Sequence, residues 1–478
     1  MLNLLPNQVP HFNKIKDLFD KGERFYIDCS VMGSGKTYTA LYTAKHFNLG
    51  LFVVCPKSMI ETWRSLCKQF DIRIDYIITY QSLRGVSSSL NHPYLKKDTK
   101  LRKNKNPYKV TKAFKRVVKA GTLLVFDEIQ YIKNDTNQSA AASTLANKVY
   151  EFKSKSRVAL LSATPFDKEE FSFNILKMTN MIKNHTLYEC GPFGKNFIAT
   201  GLLEFIKSCK KIDYEKTVQI SSAINFNSKT CKKLCYNLYT FIVNPKYMVI
   251  MEPPKINKTM EALNGHYNLS SEKSNEMESV LNSFAVVFEE EERKMRMQKI
   301  SKFMMDLERI KLEILIRLTR EQLKKKGKVV VYVNYYNSIK KLKKEFKNYN
   351  PLILNGKTKG LERKEIMDKF QEHNNDHRLL IGNTKVGGIG INLHDTHGDF
   401  PRTMFIIPTY SILDMHQATG RIYRQGTKSN AKIYFIYSTF HEKSIINAIA
   451  KKTKVLKNIT SEELLYPDDY QYFLEPPK

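Results

Sequence analysis

A stretch near the N-terminus combines two glycines with a Lys-Thr pair, a pattern typical of a loop that binds phosphate. Gly33 and Gly35 have no Cβ atom, so the backbone can wrap an anion closely. Lys36 would reach the outer phosphates of a nucleotide, and the hydroxyl of Thr37 would hold a magnesium ion. Ser30 stands where the strict motif has its first glycine, so a turn merely rich in glycine is the alternative. The apolar run before the loop and the helical pattern after it favour a nucleotide site.

Two adjacent acids, Asp127 and Glu128, follow the apolar run 122–126, which predicts a buried parallel strand. Open α/β sheets place their chemistry at the carboxyl ends of such strands. We expect Asp127 to hold the magnesium ion, directly or through water, and Glu128 to polarise the attacking water. Two acids after a strand are common, but behind a phosphate loop they indicate a nucleotide hydrolase.

Two further sets of residues extend this chemistry. The apolar run 158–161 ends in small side chains that would sense the terminal phosphate and couple it to another domain, namely Ser162, Ala163 and Thr164. Residues 417–426 predict a helix with Arg421 and Arg424 on one side. Because the first half of the chain lacks an evident arginine finger and the second half lacks a phosphate loop, neither half is a complete phosphoryl-transfer site. We expect two domains that close on one nucleotide.

The elements that must position these residues alternate between strand and helix at both ends of the chain. Strand patterns recur up to residue 161 and again from residue 328, whereas helical patterns dominate the middle. This rhythm predicts an α/β protein with two parallel sheets. We assign a first lobe to residues 1–180, a helical insertion to 181–310, a second lobe to 311–460 and a tail to 461–478.

Composition narrows the class of partner. The 478 residues include 78 Lys and Arg against 47 Asp and Glu, a net charge of +31. Nucleic acid is the commonest partner of such a basic chain, and an ordinary surface with a lysine bias is the alternative. The basic stretch 91–119 fits a contact with phosphates or a solvated surface equally well.

Cysteine usage and hydropathy bear on location. The seven cysteines all lie before residue 236, and an odd number without a secretory signal favours a reducing, intracellular compartment. None of them form a Cys-x-x-Cys pair, which speaks against a zinc ribbon and a redox motif. Two histidine pairs, His373 with His377 and His394 with His397, have a spacing that a metal site could use. No cysteine or carboxylate completes a ligand set for either pair. No apolar segment approaches membrane-spanning length, so we expect no membrane association.

In their order, these motifs resemble those of the superfamily 2 helicases and, within them, the Swi/Snf-type DNA-dependent ATPases. The resemblance covers most of the chain and rests on residues 5–8, 32–37, 54–58 with Trp63, 79–80, 127–130, 162–165, 387–393 and 417–424. Lys133, Asn134 and residues 441–443 are details like those of the Swi/Snf group. The resemblance implies a P-loop NTPase with two RecA-like lobes, a helical insertion between them, and ATP and Mg²⁺ as cofactors.

The resemblance also implies roles for single residues. Contacts with the nucleotide are implied for Gln8, Met32, Gly33, Ser34, Gly35, Lys36, Thr37, Gly390 and Gln417. Catalytic roles are implied for Glu128, Gln130, Arg421 and Arg424, metal binding for Thr37 and Asp127, and coupling for Ser162, Ala163 and Thr164. Contacts with nucleic acid are assigned to Pro56, Lys57, Thr79, Tyr80, Gly356 and Thr384.

The sequence departs from the family pattern at several positions. Gln130 stands where histidine is usual, and we expect its amide to bridge Asp127 to residues 162–165 by hydrogen bonds. Residues 243–246 replace an expected arginine doublet, and residues 408–411 replace an expected Asn-Pro pair. A compact, lysine-rich chain of this kind looks like those that large DNA viruses encode.

The first functional hypothesis is an ATP-driven motor that translocates on or remodels duplex DNA, in viral transcription or genome handling. A strand-separating DNA or RNA helicase is the alternative, although no clear wedge hairpin is evident in the second lobe. A nucleotide-switched scaffold for a polymerase is a further alternative. Without accessory modules the chain would need a recruiting partner, such as a polymerase or a transcription factor. A viral protein of this kind would act in a cytoplasmic factory, in the virion or in the nucleus.

Overall fold

The structure is a computed structural model. It describes residues 2–85, 92–97, 106–182, 186–190, 197–222, 227–252, 256–285, 293–358, 360–387, 391–438, 442–459 and 471–472. The chain divides into two compact units. The first comprises Met1–Pro254 with Lys454–Glu462, and the second comprises Lys255–Thr453 with Glu463–Lys478. Residues of the predicted helical insertion are therefore divided between the two units.

The first unit is built on a parallel sheet. The strands of this unit are β1 (Phe25–Asp28), β2 (Gly50–Cys55), β3 (Ile74–Thr79), β4 (Leu95–Lys97), β5 (Tyr108–Val110), β6 (Thr122–Asp127), β7 (Arg157–Leu161), β8 (Glu189–Cys190), β9 (Phe197–Ile198) and β10 (Met248–Val249). Within the described residues, six of them form a sheet in the order β10-β1-β7-β6-β2-β3, and every neighbouring pair is parallel. Strands β4 and β5, and likewise β8 and β9, pair as antiparallel hairpins. Every residue of β1, β2 and β6 is buried, as expected for strands covered on both faces.

Helices cover this sheet and extend beyond it. They are α1 (Gln8–Asp20), α2 (Lys36–His46), α3 (Ile60–Gln69), α4 (Tyr80–Arg84), α5 (Lys112–Ala120), α6 (Asn137–Glu151), α7 (Ser172–Leu176), α8 (Thr200–Lys210), α9 (Tyr214–Ser221), α10 (Ser228–Leu238) and α11 (Asn244–Tyr247). Threonine side chains accept hydrogen bonds at the N-termini of α4, α5 and α6, so local sequence determines where these helices begin.

The second unit has a parallel sheet of its own. Its strands are β11 (Met260–His266), β12 (Lys328–Val333), β13 (Leu352–Leu354), β14 (Leu379–Asn383), β15 (Arg402–Ile406), β16 (Ala431–Tyr437) and β17 (Gln471–Tyr472). They lie in the order β13-β14-β12-β15-β16-β11-β17, again with parallel neighbours throughout the described residues. Strand β11 falls within the stretch predicted to be helical. Its seven residues pair with β16 over their whole length, so main-chain pairing outweighs local propensity there.

The helices of the second half follow the predicted rhythm. They are α12 (Ser271–Ala285), α13 (Arg293–Lys324), α14 (Tyr336–Glu345), α15 (Gly360–Gln371), α16 (Thr384–Gly387), α17 (Ile412–Thr419) and α18 (Lys443–Ile459). Apolar residues of α13, α14 and the central strands form one buried cluster around Val331 and Ile381. The prediction of an α/β fold with two parallel sheets is confirmed. Among the described residues, no helix is both long and apolar enough to cross a bilayer.

Candidate active site

Strand register in the first unit brings the predicted chemistry together. Asp28 at the end of β1 and Asp127 at the end of β6 both pair with Leu161, the last residue of the strand between them. The three strands therefore end at the same level of the sheet. They are followed by the phosphate loop, by the acidic turn that contains Asp127 and Glu128, and by residues 162–164. This is the edge at which α/β sheets bind their ligands.

The phosphate loop has the backbone geometry that its glycines predict. Gly33 and Gly35 adopt φ angles of 79° and 97°, and α2 begins at Lys36. The Lys36 ammonium donates to the carbonyls of Ser30 and Val31, at 2.7 and 3.1 Å. The buried hydroxyl of Ser34 has no hydrogen-bond partner among the residues that the structure describes. Open donors at a helix N-terminus fit a phosphate, so the loop suits a nucleotide.

Gln8 packs directly against this loop. Its Nε2 donates to the Ser34 carbonyl over 3.1 Å, and its Oε1 accepts from the Leu5 amide over 3.0 Å. A Cβ atom at Gly35 would overlap Nε2 of Gln8. The structure thus places Gln8 as a brace for the loop. Met32 and Thr37, two other residues predicted to contact the nucleotide, are half-buried beside it.

A buried polar network explains why a serine replaces the first glycine of the motif. The Ser30 amide and hydroxyl donate to Asp28 Oδ1 over 2.9 and 2.5 Å, and the same hydroxyl accepts from the Met251 amide. His11 Nε2 lies 3.2 Å from Asp28 Oδ2. Burial opposes ionisation of Asp28, but His11, Lys36 and Ser30 together hold its pKa below the ordinary value. Apart from the serine itself, the sequence gives no signal for this network.

Asp127 is buried, and one side chain donates to its carboxylate while another donates to its main-chain carbonyl. Its Oδ2 accepts from the Trp63 indole over 2.9 Å, and its main-chain carbonyl accepts from the Tyr80 hydroxyl over 2.9 Å. Burial, followed by the negative charge of Glu128, raises the pKa of Asp127 to about 7. A nearby cation would favour the ionised form, so Asp127 fits a divalent metal ion held with Thr37.

Glu128 lies in a strained turn and begins a relay of hydrogen bonds. Its φ and ψ angles of 60° and 61° are left-handed, which is uncommon outside glycine and often marks functional sites. Gln130 Nε2 donates to Glu128 Oε2 over 2.7 Å, and the Ser162 hydroxyl donates to Gln130 Oε1 over 2.7 Å. The Thr164 amide in turn donates to the Ser162 hydroxyl over 3.0 Å.

The expectation that Gln130 bridges Asp127 to this segment is therefore wrong in one respect, because the carboxylate it contacts belongs to Glu128. Trp63 already occupies Oδ2 of Asp127. Ala163 and Thr164 are buried next to Ser162. Lys133, one of the Swi/Snf-like details, pairs with Asp167 over 2.5 Å and so anchors the chain just after these residues.

Only part of the predicted nucleic-acid set is accessible in the first unit. Lys57 is exposed at the start of a 3₁₀ turn, directly after the buried Pro56. Thr79 is half-buried and caps α4 by accepting from the Ser82 amide. The side chain of Tyr80 is only 2% exposed, so its assignment to nucleic-acid contact is wrong for this conformation. Tyr80 instead contacts Asp127.

The two arginines of the second unit lie close together, but not on a helix. Helix α17 contains the buried Gln417 and ends at Thr419, so the prediction of one helix through residue 426 is wrong. Glycine follows the helix at position 420, and Arg421 and Arg424 lie in the turns beyond it. Burial and the charge of Arg421 lower the pKa of Arg424 to about 9.

The positive charge of these arginines also affects neighbouring groups. Arg424 donates to the side-chain oxygen of Asn392. Burial, then Arg424 and Arg402, lower the pKa of His394 to about 4. Mutually repelling guanidinium groups of this kind suit an anion such as a phosphate.

The remaining predicted residues of the second unit have different settings. Gly356 is exposed in the turn after β13, with open space where a Cβ atom would lie. Thr384 is almost fully buried at the start of α16, so its assignment to nucleic-acid contact is wrong for this conformation. Gly390 lies outside the described residues.

Sequence reasoning also missed a buried ion pair of the second unit. Glu442, noted only as a Swi/Snf-like detail, pairs with Lys311, and both side chains are almost fully buried. Glu442 also accepts from the Ser438 amide over 2.8 Å. No local pattern predicts this pairing, because the two partners lie far apart in the sequence.

Comparisons with known proteins agree with this geometry. The helicase conserved C-terminal domain matches residues 310–426. A protein of Acanthamoeba polyphaga mimivirus, whose name describes an ATP-dependent RNA helicase, is 25% identical over 454 residues, which cover 92% of this chain and 80% of the relative. The DNA repair and recombination protein RAD54 of Saccharomyces cerevisiae is 27% identical over 114 residues, or 23% of this chain and 12% of that protein.

A solved structure also resembles the chain. It is the SWI2/SNF2 ATPase core of Sulfolobus solfataricus in complex with dsDNA, with 19% identity over 96% of this chain and 93% of the other. The TM-score between the two structures is 0.32.

The fold, the site and these similarities indicate a helicase-like enzyme that hydrolyses ATP. The chain is similar to the mimivirus protein over most of its length, and to RAD54 over a shorter stretch.

Proposed function

We propose that this chain is a motor that couples the hydrolysis of magnesium-bound ATP to movement along duplex DNA. The observation that carries the proposal is the hydrogen-bonded relay from Glu128 through Gln130 to Ser162, which lies at the strand ends beside the phosphate loop. Such a relay links the acid that would activate water to a segment that would move when the terminal phosphate leaves.

Each residue of the first unit has a definite task in this proposal. Lys36 and the loop amides bind the phosphates, with Lys36 giving up its contacts to the loop carbonyls. Glu128 accepts the proton of the attacking water, and Gln130 fixes its orientation. Asp127 and Thr37 would hold the magnesium ion. When bound, that ion neutralises charge on the phosphates.

The second unit supplies positive charge in this proposal. Arg421 and Arg424 would stabilise the charge that develops on the transferred phosphoryl group. The mutual repulsion of the buried Arg421 and the half-buried Arg424 supports this role, because an anion would relieve it.

The charge of the chain and the name of one relative support duplex DNA as the substrate. The net charge of +31 and the exposed Lys57 suit a phosphate backbone, so affinity should fall steeply with salt. Among the relatives, RAD54 is named for DNA repair and recombination, whereas the mimivirus protein is named as an RNA helicase. Strand separation on RNA is therefore the second candidate.

One set of rates tests both candidates. ATP hydrolysis is measured without nucleic acid and with duplex DNA, single-stranded DNA or RNA, and we expect the largest stimulation with duplex DNA. Displacement of a third strand from a triplex would report translocation, whereas unwinding of a labelled partial RNA duplex would support the second candidate. Lys36→Ala should abolish turnover while the protein stays folded. Equal rates with and without every nucleic acid would overturn the proposal.

A further inference from the structure

Two buried side chains from different helices donate hydrogen bonds to the same residue of the candidate active site. The Trp63 indole donates to the carboxylate of Asp127, and the Tyr80 hydroxyl donates to its main-chain carbonyl, both over 2.9 Å. Trp63 is fully buried and Tyr80 nearly so. Neither residue is predicted to be catalytic, but together they hold the carboxylate and the main-chain carbonyl of Asp127 in place.

The two donors come from the segments assigned to nucleic-acid contact. Trp63 lies on α3, which follows directly on the 3₁₀ turn that begins at Lys57. Tyr80 is the first residue of α4, and the preceding Thr79 caps that helix. Strands β2 and β3 lie side by side, with Cys55 opposite Thr79, so both segments leave the same edge of the sheet. The first segment exposes Lys57, the second carries the half-buried Thr79, and each sends a donor inward to Asp127.

Tyr80 also supports the residue that follows Asp127. Its ring stacks on Tyr131 with centroids 5.6 Å apart and planes inclined by 8°. The Tyr131 amide donates to the Glu128 carbonyl over 3.1 Å. Tyr80 therefore contacts the chain on both sides of Glu128, whose left-handed backbone needs such support.

We propose that Trp63 and Tyr80 are positioning residues that transmit nucleic-acid contact at Lys57 and Thr79 to Asp127 and Glu128. The inference rests on the proposed function, because it assumes that a nucleic acid binds these segments. A displacement of α3 or α4 changes the donor positions on Asp127 directly, since no other residue stands between them. Misplacement of a reacting group by about 1 Å can cost about a hundredfold in rate.

Rates and affinities of matched variants test the inference. Trp63→Phe and Tyr80→Phe remove only the N–H or O–H donor and keep an aromatic ring. We expect each to bind fluorescent duplex DNA within about twofold of the unmodified protein, while the stimulation of ATP hydrolysis by that DNA falls by about tenfold. Tyr76→Phe is the control, because Tyr76 lies on the same strand as Thr79 and its ring packs on Phe52 and Tyr94.

The outcomes separate the inference from the proposed function. If the unmodified protein is stimulated by duplex DNA and both variants are stimulated equally well, the inference is wrong and the proposed function stands. If no nucleic acid stimulates the unmodified protein, the proposed function fails first.

Fluorescence gives a second measurement that needs no turnover. Trp63 is the only tryptophan of the chain, so its emission reports the surroundings of Asp127 alone. We expect duplex DNA to change this emission in nucleotide-free protein, and Lys57→Ala with Thr79→Ala to reduce the change at saturating DNA. If DNA binds, as anisotropy shows, and the emission stays constant, the inference is overturned even when Trp63→Phe fails to fold.

Discussion

The Ser162 hydroxyl lies 2.7 Å from Oε1 of Gln130, and this hydrogen bond links the segment after β6 to the end of β7. Gln130 takes the place of the histidine usual in the resembling family. Its amide serves as donor to Glu128 and as acceptor from Ser162 at once. An imidazole ring can do the same, with one nitrogen in each role.

Substitution at Gln130 should therefore affect catalysis and leave nucleotide binding intact. We expect Gln130→Ala to lower the single-turnover rate of ATP hydrolysis by about tenfold to a hundredfold, because Glu128 loses its orienting donor. Gln130→His should recover much of the rate. Gln219→Ala, at an exposed position of α9, is the control. An unchanged rate in Gln130→Ala would show that the relay has no catalytic role.

Two glycines with similar backbones separate strain from steric overlap. Gly22 and Gly35 have φ angles of 84° and 97°, but a Cβ atom has open space at Gly22 and overlaps Gln8 at Gly35. Substitution of either by alanine should lower the free energy of unfolding by about 1–2 kcal/mol. Gly35→Ala alone should also lose binding of a fluorescent ATP analogue. Intact binding in Gly35→Ala would contradict the loop geometry described here.

The buried pair of Lys311 and Glu442 should be costly to break from one side. Lys311→Met leaves an unpaired carboxylate inside the second unit, and we expect a loss of about 3–5 kcal/mol in urea unfolding. The double variant with Glu442→Leu should recover part of this loss, although the Ser438 amide then lacks its acceptor. A single variant that unfolds like the unmodified protein would show that Glu442 is reached by solvent.

The depressed pKa of His394 predicts how stability depends on pH. Its folded pKa of about 4 lies below the unfolded value of about 6.5, so the unfolded chain binds more protons between these values. The free energy of unfolding should therefore rise with pH through this window and level off above it. His394→Asn should flatten the rise when urea midpoints are compared from pH 4.5 to 7.5. An identical slope in both proteins would contradict the burial of His394.

Replacement of Arg421 tests the catalytic role that we propose for the second unit. We expect Arg421→Gln to bind ATP normally but to hydrolyse it about a thousandfold more slowly, because charge in the transition state is left unneutralised. Arg320→Gln, at an exposed position of α13 paired with Glu345, is the control. Normal turnover in Arg421→Gln would remove Arg421 from the reaction.

Predictions from the sequence agree with the structure where a feature depends on neighbouring residues in the chain. The strand before Asp127 is a continuous apolar run, and the glycines of the phosphate loop have the positive φ angles that they alone adopt easily. Both features depend on neighbours in the chain, and both agree with prediction. The end of α17 was misjudged, because Gly420 stops the helix before Arg421.

Long-range contacts between side chains could not be predicted. Trp63 and Asp127 are 64 residues apart, and only strand order and register bring the indole to the carboxylate. The same holds for His11 and Asp28, where the charged partner lies on another element. Strand β11 shows a related limit, since its place beside β16 is set by main-chain pairing and leaves little trace in its composition.

Ser30 has one more consequence. Its hydroxyl oxygen accepts a hydrogen bond from the main-chain amide of Met251, which lies two residues beyond the edge strand β10. This hydrogen bond links the phosphate loop to the edge of its own sheet, and a glycine at position 30 would remove it. We therefore expect a substitution at position 30 to lower the stability of the first unit and to weaken phosphate binding together.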